Sequence, residues 1–328
     1  MNIYIFSNKY QITMVVIIDD TDTDTNKIDN SLQKILKHNS KCYEFKYIKL
    51  TNGLFGKTVD ATYVIHLKGN GRYENIMKQL NEYHPTNDVY ILLNDGFKKC
   101  RKTQNIVYPA DDLVDAFFQI FKHAHKQNYD NILILEDDFI FNTEIKNEKH
   151  ITNINNFLTR KQGEDFIYYI GCVPWLLVPT VYDMNTYVNL FSSGMHSVIY
   201  SRKNREICMK QYLNATNNMR DWDLLHNLYS KNRYTYYKPL CYQLFGDTEN
   251  SNNWGKFNKI YEFFGYMLNI FFKFVGLDKS VEPGYSILYI FSKLLFLILV
   301  ILFVYFIIKL KNMFFIFKTN KYVTIKKK

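Results

Sequence analysis

Three consecutive carboxylates, Glu136, Asp137 and Asp138, follow an apolar run in the stretch from Asn131 to Asn142. Neighbouring acids repel one another, and no arginine or lysine lies close by in the sequence to offset them. Hard carboxylate oxygens favour Mg²⁺ or Mn²⁺, which complete their coordination with water and phosphate oxygens. In an extended chain, Glu136 and Asp138 would point to one side and Asp137 to the other. The triplet therefore predicts a metal site, with an inert solvated loop as the alternative.

The surrounding sequence predicts the open α/β sheet that would position these acids. Buried-strand patterns cover Ala61 to Leu67, Asp88 to Leu93 and Ile132 to Leu135. Helices are predicted from Tyr73 to Tyr83 and after Pro109. Strands that alternate with helices indicate right-handed crossovers and a parallel sheet. Since open α/β sheets bind ligands at the carboxyl ends of their strands, the acids lie where a ligand is expected.

The helix predicted after Pro109 has an acidic start and an apolar face. Its first turns carry Asp111, Asp112 and Asp115, which favour a helix start by capping and by their interaction with the helix dipole. Five apolar residues share one helical face, which predicts packing on the sheet; they are Leu113, Phe117, Ile120, Phe121 and Ala124.

Residues 1–60 are predicted to be an N-terminal extension of unknown role. Their pattern indicates two short strands, a helix from Lys27 to His38 and a strand that begins at Tyr43. The acidic run from Asp19 to Thr25 lacks the glycine and the terminal glutamate of an EF-hand loop, so a solvated loop is expected there.

The C-terminal region predicts a membrane anchor. Leu294 to Ile308 is uninterrupted and apolar, and with the residues before it the run reaches about 24 residues, enough to cross a hydrocarbon core of about 30 Å. We therefore predict a transmembrane helix over residues 285–308, followed by a basic tail over 309–328. Residues 259–284 form an aromatic-rich segment, predicted to be amphipathic or membrane-associated, with packing on the soluble domain as the alternative.

The positive charge of the chain is concentrated near this anchor. The sequence has 41 Lys and Arg against 31 Asp and Glu. Eight of the lysines lie at residue 293 or in the basic tail, which leaves 33 basic residues against 31 acidic ones in the rest of the chain. A nearly neutral body excludes a nucleic-acid-binding protein.

Membrane orientation is predicted less directly. The basic tail favours the cytoplasmic side, but the N-terminus lacks the features of a signal peptide, so we expect the body to face the cytosol, with a lumenal body left open. The five cysteines are scattered without CxxC spacing, which suggests a reducing compartment and no structural zinc. The sequon at Asn214 argues weakly for the opposite side.

Five ordered segments resemble glycosyltransferase family 25, the lipopolysaccharide and procollagen galactosyltransferases. They are YVIHLKGNGRYENI, NYDNILILEDDFIF, DFIYYIGCVPW, SSGMHSVIYSRKN and RDWDLLHNLYSKNRYTYYKPLCYQ. The resemblance covers about Ala61 to Lys256. Two features of the family are missing: its Gly-Cys-x-x-Ser-His helix motif, and the several arginines of its opening loop, where this chain has Arg72.

The resemblance implies a GT-A-type nucleotide-sugar-binding fold over residues 61–258, a mostly parallel sheet and a UDP-sugar donor. Galactose or glucose is the expected sugar, transferred with inversion. On this reading Asp138 binds the metal, Glu136 contacts the ribose or a metal-bound water, and Asp137 supports both. Arg72 is predicted to hold a phosphate, with a solvated loop arginine as the alternative. His196 matches a family position and is assigned to donor binding, with core packing as the alternative.

An inverting transfer also needs a base on the acceptor hydroxyl. Asp221 and Asp223 are the candidates, with Asp221 preferred and N-capping of the following helix as the alternative role. His226 is a further candidate metal ligand, and Trp254 could stack on a sugar; structural packing is the alternative for both.

The sequence thus predicts a membrane-bound, Mn²⁺- or Mg²⁺-dependent glycosyltransferase that acts on a glycan, lipid-linked or protein acceptor. A catalytically degenerate, membrane-anchored binding or structural protein is the alternative, favoured by the missing helix motif. Metal-dependent phosphoryl transfer would call for a phosphate-binding loop of the GxxxxGK[ST] pattern, and the sequence does not contain that pattern.

Overall fold

The computed structural model describes residues 2–8, 11–17, 41–102, 106–214, 222–245 and 259–325. Four predicted features lie outside these ranges: the helix from Lys27 to His38, the acidic run from Asp19, Asp221 and Trp254. The chain divides into two compact units, residues 1–38 and 39–328. The described part of the first unit is an antiparallel hairpin of β1 (Asn2–Asn8) and β2 (Gln11–Ile17), in agreement with the two predicted strands.

The larger unit alternates strands and helices along the chain. Its described strands are β3 (Tyr43–Lys49), β4 (Ala61–Leu67), β5 (Asp88–Asn94), β6 (Asn131–Glu136), β7 (Phe139–Phe141), β8 (Ile167–Pro179), β9 (Thr186–Ser201), β10 (Arg233–Tyr236) and β11 (Cys241–Gln243). Its described helices are α1 (Tyr73–Tyr83), α2 (Pro109–Lys126), α3 (Glu148–Arg160), α4 (Arg202–Asn214), α5 (Trp222–Tyr229), α6 (Lys259–Phe274) and α7 (Gly284–Ile325). A short 3-10 helix, Thr143–Lys146, precedes α3.

A mixed sheet of seven strands forms the centre of this unit, in the order β10, β8, β9, β6, β4, β5, β3. Strand β4 runs parallel to both β5 and β6, as the sequence predicts. Strands β9 and β3 run antiparallel to their neighbours β6 and β5. The parallel strands therefore end at one edge of the sheet, at Leu67, Asn94 and Glu136. Strand β3 belongs to the segment predicted as an N-terminal extension, so part of that segment contributes to the main sheet.

The predicted strands and helices of residues 61–136 are confirmed, and their burial explains them. Residues 61–66 of β4 are buried throughout, as expected for a central parallel strand covered on both faces. On α2, Phe117 and Phe121 are buried as predicted, while Leu113 is only half-buried. Helix α2 begins at Pro109, where Asp111 Oδ2 accepts hydrogen bonds from the backbone N–H groups of residues 107 and 108.

A disulfide joins Cys42, just before β3, to Cys100 in the loop after β5, with the two Cα atoms 5.7 Å apart. This pairing differs from the free thiols expected of a reducing compartment. Since the two cysteines are 58 positions apart, their spacing gave no indication of it. Cys172, Cys208 and Cys241 are unpaired and buried.

Helix α7 is long and apolar enough to cross a membrane from Gly284 to Asn312. Only 17% of its most apolar window is buried, whereas the core helix of a soluble protein would be mostly buried. The beginning of the helix is different, because Tyr285, Leu288 and Tyr289 pack in an apolar cluster with β8 and α6. Helix α6 contributes Phe272 to the same cluster, so this residue of the segment packs against the body.

Candidate functional site

The three acids of the EDD sequence lie where β6 ends. Glu136 is the last residue of β6, and the chain turns at Asp137 and Asp138 before β7 begins at Phe139. The extended alternation predicted through Asp138 is therefore wrong. The turn brings Asp137 and Asp138 against the same partner, Arg72.

The loop after β4 is shaped by two glycines so that its polar side chains reach this turn. Gly69 and Gly71 have φ values of +82° and +79°, a region that other residues avoid. Between them, Asn70 donates a hydrogen bond to Asp137 Oδ2 and accepts one from the Arg72 N–H at 3.1 Å. Arg72 Nη1 lies 2.5 Å from Asp137 Oδ1 and 3.1 Å from Asp138 Oδ2.

No arginine or lysine lies near the acids in the sequence, but in the fold Arg72 contacts two of them. It lies more than sixty positions earlier in the chain, and only the parallel pairing of β4 with β6 brings it to them. Both of its carboxylate contacts use Nη1. Within the described ranges its other guanidinium nitrogens make no hydrogen bond, so the predicted phosphate contact stays open to it.

Asp137 is the most firmly held of the three acids. Its Oδ2 accepts the Leu67 N–H at 3.1 Å and lies 3.5 Å from His66 Nδ1. Burial alone would raise the pKa of Asp137, but the His66 imidazole and the Arg72 guanidinium outweigh it and hold the pKa below its usual value. Asp137 is therefore an ionised group fixed by β4 and its loop.

Asp138 is held on one side only. Its Oδ2 accepts a hydrogen bond from Gln243 Nε2 at 3.0 Å, in addition to the contact with Arg72. Its Oδ1 is buried and has no hydrogen-bond partner among the described residues. Burial raises the pKa of Asp138 to about 6, even though the Arg72 guanidinium acts in the opposite direction. One carboxylate oxygen of this residue is thus left for a ligand.

Sequence reasoning missed Gln243. Strands β7 and β11 pair antiparallel and set Gln243 opposite Phe139, the residue after Asp138. The two partners are 105 positions apart, and no local pattern in the CYQ sequence of β11 indicates a site residue.

The pKa of Glu136 is shifted by its burial and by the charges of its neighbours. Burial raises its pKa well above the usual value, and the charges of Asp138, Asp223 and Asp137 raise it further. Arg72 lowers this pKa, but not enough to cancel the other effects. Among the described residues, the charges of three other carboxylates act on Glu136 against that of one guanidinium, so this position favours uptake of a proton or of a cation.

Asp223 lies in the first turn of α5, and its charge acts on Glu136. Its carboxylate accepts hydrogen bonds from the backbone N–H groups of Gly194, at 2.6 Å, and Met195, at 3.3 Å. The residue thus connects α5 to β9. The other base candidate, Asp221, is outside the described residues.

His196 is fully buried between two carbonyl groups. Its Nδ1 lies 2.7 Å from the Gly194 carbonyl oxygen and its Nε2 lies 3.0 Å from that of Cys241. Burial lowers the pKa of His196 to about 4, and the neutral ring has one N–H, which donates to one of these two carbonyl oxygens. The imidazole connects β9 to β11 in this arrangement.

His226 lies in an aromatic cluster. Its ring centroid is 4.4 Å from that of Trp222 and 5.4 Å from that of Tyr200, and its Nδ1 lies 3.0 Å from the Trp222 carbonyl oxygen. Burial lowers the pKa of His226 to about 3. In the part of the chain that the structure describes, no three His, Cys, Asp or Glu side chains are grouped so that they could hold a metal ion.

Comparisons with known proteins give limited likeness. No family model and no curated protein matches the chain. A197 from STIV, a solved structure, has a TM-score of 0.34 and 11% identity, covering 58% of this chain and 86% of its own. A glycosyltransferase involved in the glycosylation of the major capsid of PBCV-1 has a TM-score of 0.35 and 11% identity, covering 58% of this chain and 94% of its own. Likeness at this level decides nothing about activity, and membership of family 25 is not confirmed.

Proposed function

We propose that the chain is a metal-dependent glycosyltransferase that moves a hexose, galactose or glucose, from a UDP-sugar to an acceptor hydroxyl with inversion. One observation carries the proposal: Asp138 Oδ1 is buried and unpartnered among the described residues, in a site where carboxylates outnumber the single guanidinium. The site lies at the carboxyl ends of parallel strands, where α/β sheets bind ligands. The five ordered segments that resemble family 25 give independent support.

The carboxylate oxygens of the site are suitable ligands for a divalent cation. Asp138 and Glu136 offer hard oxygen ligands, and Mn²⁺ or Mg²⁺ takes one or two such carboxylates together with substrate phosphates. A cation bound there would supply Lewis-acid stabilisation to the departing diphosphate. Glu136 and Asp138 are the residues that would hold it, which retains two of the three ligands predicted from the sequence.

The remaining residues would orient these groups. Asp137, fixed by Leu67, Asn70 and Arg72, holds the turn in place, as its predicted supporting role requires. Arg72 would use its remaining nitrogens on a donor phosphate, since planar guanidinium groups suit phosphate oxygens.

Asp221 remains the preferred base for the acceptor hydroxyl. Asp223 is the weaker candidate, because two backbone N–H groups already stabilise its ionised form and so reduce its basicity. The burial of His196 and His226 supports structural roles for both, in place of the donor contact and the metal contact predicted for them.

We also propose that α7 anchors the protein in a membrane, with a glycan, lipid-linked or protein acceptor near its surface. The pairing of Cys42 with Cys100 supports the lumenal orientation that the sequence left open, because structural disulfides persist in oxidising compartments.

A second candidate function, a catalytically degenerate binding or structural protein, is favoured by Arg72. The guanidinium offsets part of the acidic triplet without a metal ion. In a site of this kind, the free oxygen of Asp138 would bind a ligand without any turnover.

Hydrolysis of UDP-galactose and UDP-glucose by the full-length chain in detergent, with Mn²⁺ or with a chelator, tests the proposal. We expect metal-dependent turnover that falls by about 100-fold in Asp138→Asn. Asp130→Asn is the matched control, because Asp130 directly precedes the opposite end of β6 and its side chain is 62% exposed. Metal-independent turnover, or full activity in Asp138→Asn, contradicts the site assignment. Binding of UDP without turnover favours the degenerate protein.

A further inference from the structure

The first ten residues of α7, Gly284–Lys293, dock on the body, and we call them the docked segment. Tyr285, Leu288, Tyr289 and Ser292 are buried there. At its end, Lys293 Nζ donates a hydrogen bond to the Tyr237 carbonyl oxygen at 2.5 Å. Large apolar side chains are exposed from residue 297 to residue 308, so the helix has a docked part and a projecting part.

Tyr285 connects the docked segment to β11. Its side chain is fully buried, and its hydroxyl oxygen accepts the Gln243 N–H at 3.2 Å and lies 3.3 Å from the Gln243 carbonyl oxygen, to which it donates. Its ring packs against Tyr242, with centroids 5.2 Å apart, and edge-on against His196 at 5.7 Å. Both backbone hydrogen-bonding groups of Gln243 are thus engaged by one side chain of α7.

Gln243 in turn contacts the acidic site. Its side-chain amide donates to Asp138 Oδ2 at 3.0 Å, the same oxygen that Arg72 contacts. Because both donors use Oδ2, the other oxygen, Oδ1, is the one left without a partner among the described residues. Strand β11 has only three residues and pairs with the three-residue strand β7, so this short ladder gives Gln243 little support of its own.

We propose that Tyr285 is a positioning residue of the acidic site, and that the docked segment of α7 is therefore a component of the site as well as part of the anchor. The inference rests on the proposed function in one respect, that Asp138 is the group to be oriented. Tyr285 fixes the backbone of Gln243, Gln243 holds Asp138 Oδ2, and Asp138 Oδ1 stays available to a ligand. A chain cut before α7 would lose this support.

The test uses the full-length chain in lipid nanodiscs. Tyr285→Phe keeps the ring and removes only the hydroxyl that engages Gln243. Tyr289→Phe is the matched control, since Tyr289 is also buried one turn later but its hydroxyl faces Cys172 Sγ at 3.9 Å. Gln243→Ala and the double variant Gln243→Ala/Tyr285→Phe complete a double-mutant cycle.

Two readouts are measured: calorimetric binding of Mn²⁺ alone, and hydrogen exchange of the backbone amides of residues 240–245. Loss of one hydrogen bond should weaken Mn²⁺ binding in Tyr285→Phe by about 3- to 10-fold, with no change in Tyr289→Phe. Tyr285→Phe should add no further loss in the Gln243→Ala background, because it acts through Gln243. The backbone amide of Gln243 should exchange faster than in the wild type in Tyr285→Phe, and at the wild-type rate in Tyr289→Phe.

Wild-type Mn²⁺ affinity in Tyr285→Phe, or effects of Tyr285→Phe and Gln243→Ala that simply add, would overturn the positioning role. If the wild-type chain takes up no Mn²⁺, the proposed function fails, and hydrogen exchange then decides the inference. Faster exchange at Gln243 in Tyr285→Phe but not in Tyr289→Phe supports the role, and equal protection in both refutes it.

Discussion

Two groups of acidic side chains lie at the carboxyl-end edge of the main sheet. One, which we call the closed cluster, follows β5 and consists of Tyr43, Asn94, Lys102, Asp112 and Asp115. The other, the open cluster, follows β6 and consists of Arg72, Glu136, Asp137, Asp138 and Asp223. As defined by these residues, the closed cluster has two carboxylates and one lysine, and the open cluster has four carboxylates and one arginine.

The hydrogen bonds of the closed cluster are complete. The Lys102 ammonium contacts Asp112 Oδ1 and lies 2.7 Å from both Tyr43 Oη and Asn94 Oδ1, which uses its three donors. Asn94 donates to the second oxygen of Asp112 at 3.0 Å, and Tyr43 donates to Asp115 at 2.7 Å. This cluster joins β3, β5 and α2 and has a structural role.

The open cluster lacks this balance, since Asp138 Oδ1 has no partner among the described residues and the pKa of Glu136 is raised by burial and by its acidic neighbours. An excess of acids over basic side chains is common to both clusters. What distinguishes them is whether each buried oxygen has a donor, because an unsatisfied buried group needs an explanation such as a ligand.

Lys102→Met would test the closed cluster with the largest expected effect. The side chain of Lys102 is 1% exposed, so its loss leaves Asp112 buried beside an apolar group. We expect the free energy of unfolding to fall by about 3–5 kcal/mol, measured by denaturant titration. A variant as stable as the wild type would show that the closed cluster is not structural.

Cys42→Ser would test how far the disulfide supports the closed cluster. Cys100 lies two residues before Lys102, so the disulfide holds the loop that carries this lysine. For a bridge between residues 58 positions apart, we expect a loss of about 3–4 kcal/mol in the oxidised protein. Thermal unfolding with and without reductant measures it.

Alkylation of the denatured native protein, counted by mass spectrometry, provides the check on compartment. Labelling of Cys172, Cys208 and Cys241 alone before reduction, and of all five cysteines after it, agrees with an oxidising compartment. Five labelled cysteines without reduction would instead support the cytosolic body expected from the sequence.

Asp138→Asn should instead raise the free energy of unfolding of the metal-free protein at neutral pH. The pKa of Asp138 in the folded protein is raised to about 6, above its unfolded value near 4, so its ionisation costs stability above pH 6 and nothing below about pH 4. The substitution should add up to about 3 kcal/mol near pH 7.5, and the gain should shrink as the pH falls through 6. Denaturant titrations in chelator, at pH 7.5 and below pH 6, measure the change in stability. A loss of stability near pH 7.5 would contradict the claim that Asp138 is an unbalanced acid in the open cluster.

Arg72→Met should have the smallest effect on stability, about 1 kcal/mol. The side chain of Arg72 is 34% exposed, and Asp138 can take up a proton when the guanidinium is lost. Thermal unfolding beside Lys102→Met compares the two basic residues directly. Equal losses in the two variants would remove the distinction between the clusters.

Local patterns were sufficient to predict β4, α1, β5, α2 and β6, because apolar periodicity and a proline helix start are short-range signals. The same patterns placed the acids at a strand end. The partners of Asp138 could not be predicted, since Arg72 and Gln243 reach it through strand pairing across 66 and 105 positions. The turn at Asp137 and the pairing of Cys42 likewise depend on tertiary contacts.

The capacity of the open cluster to bind a cation together with a nucleoside diphosphate is tested most directly by calorimetric titration of UDP into the full-length chain, with Mn²⁺ or with chelator. We predict that UDP binds only with Mn²⁺, that Asp138→Asn abolishes this binding, and that Asp130→Asn leaves it unchanged. UDP binding of equal strength in chelator, or unaffected by Asp138→Asn, would contradict a metal site at Asp138.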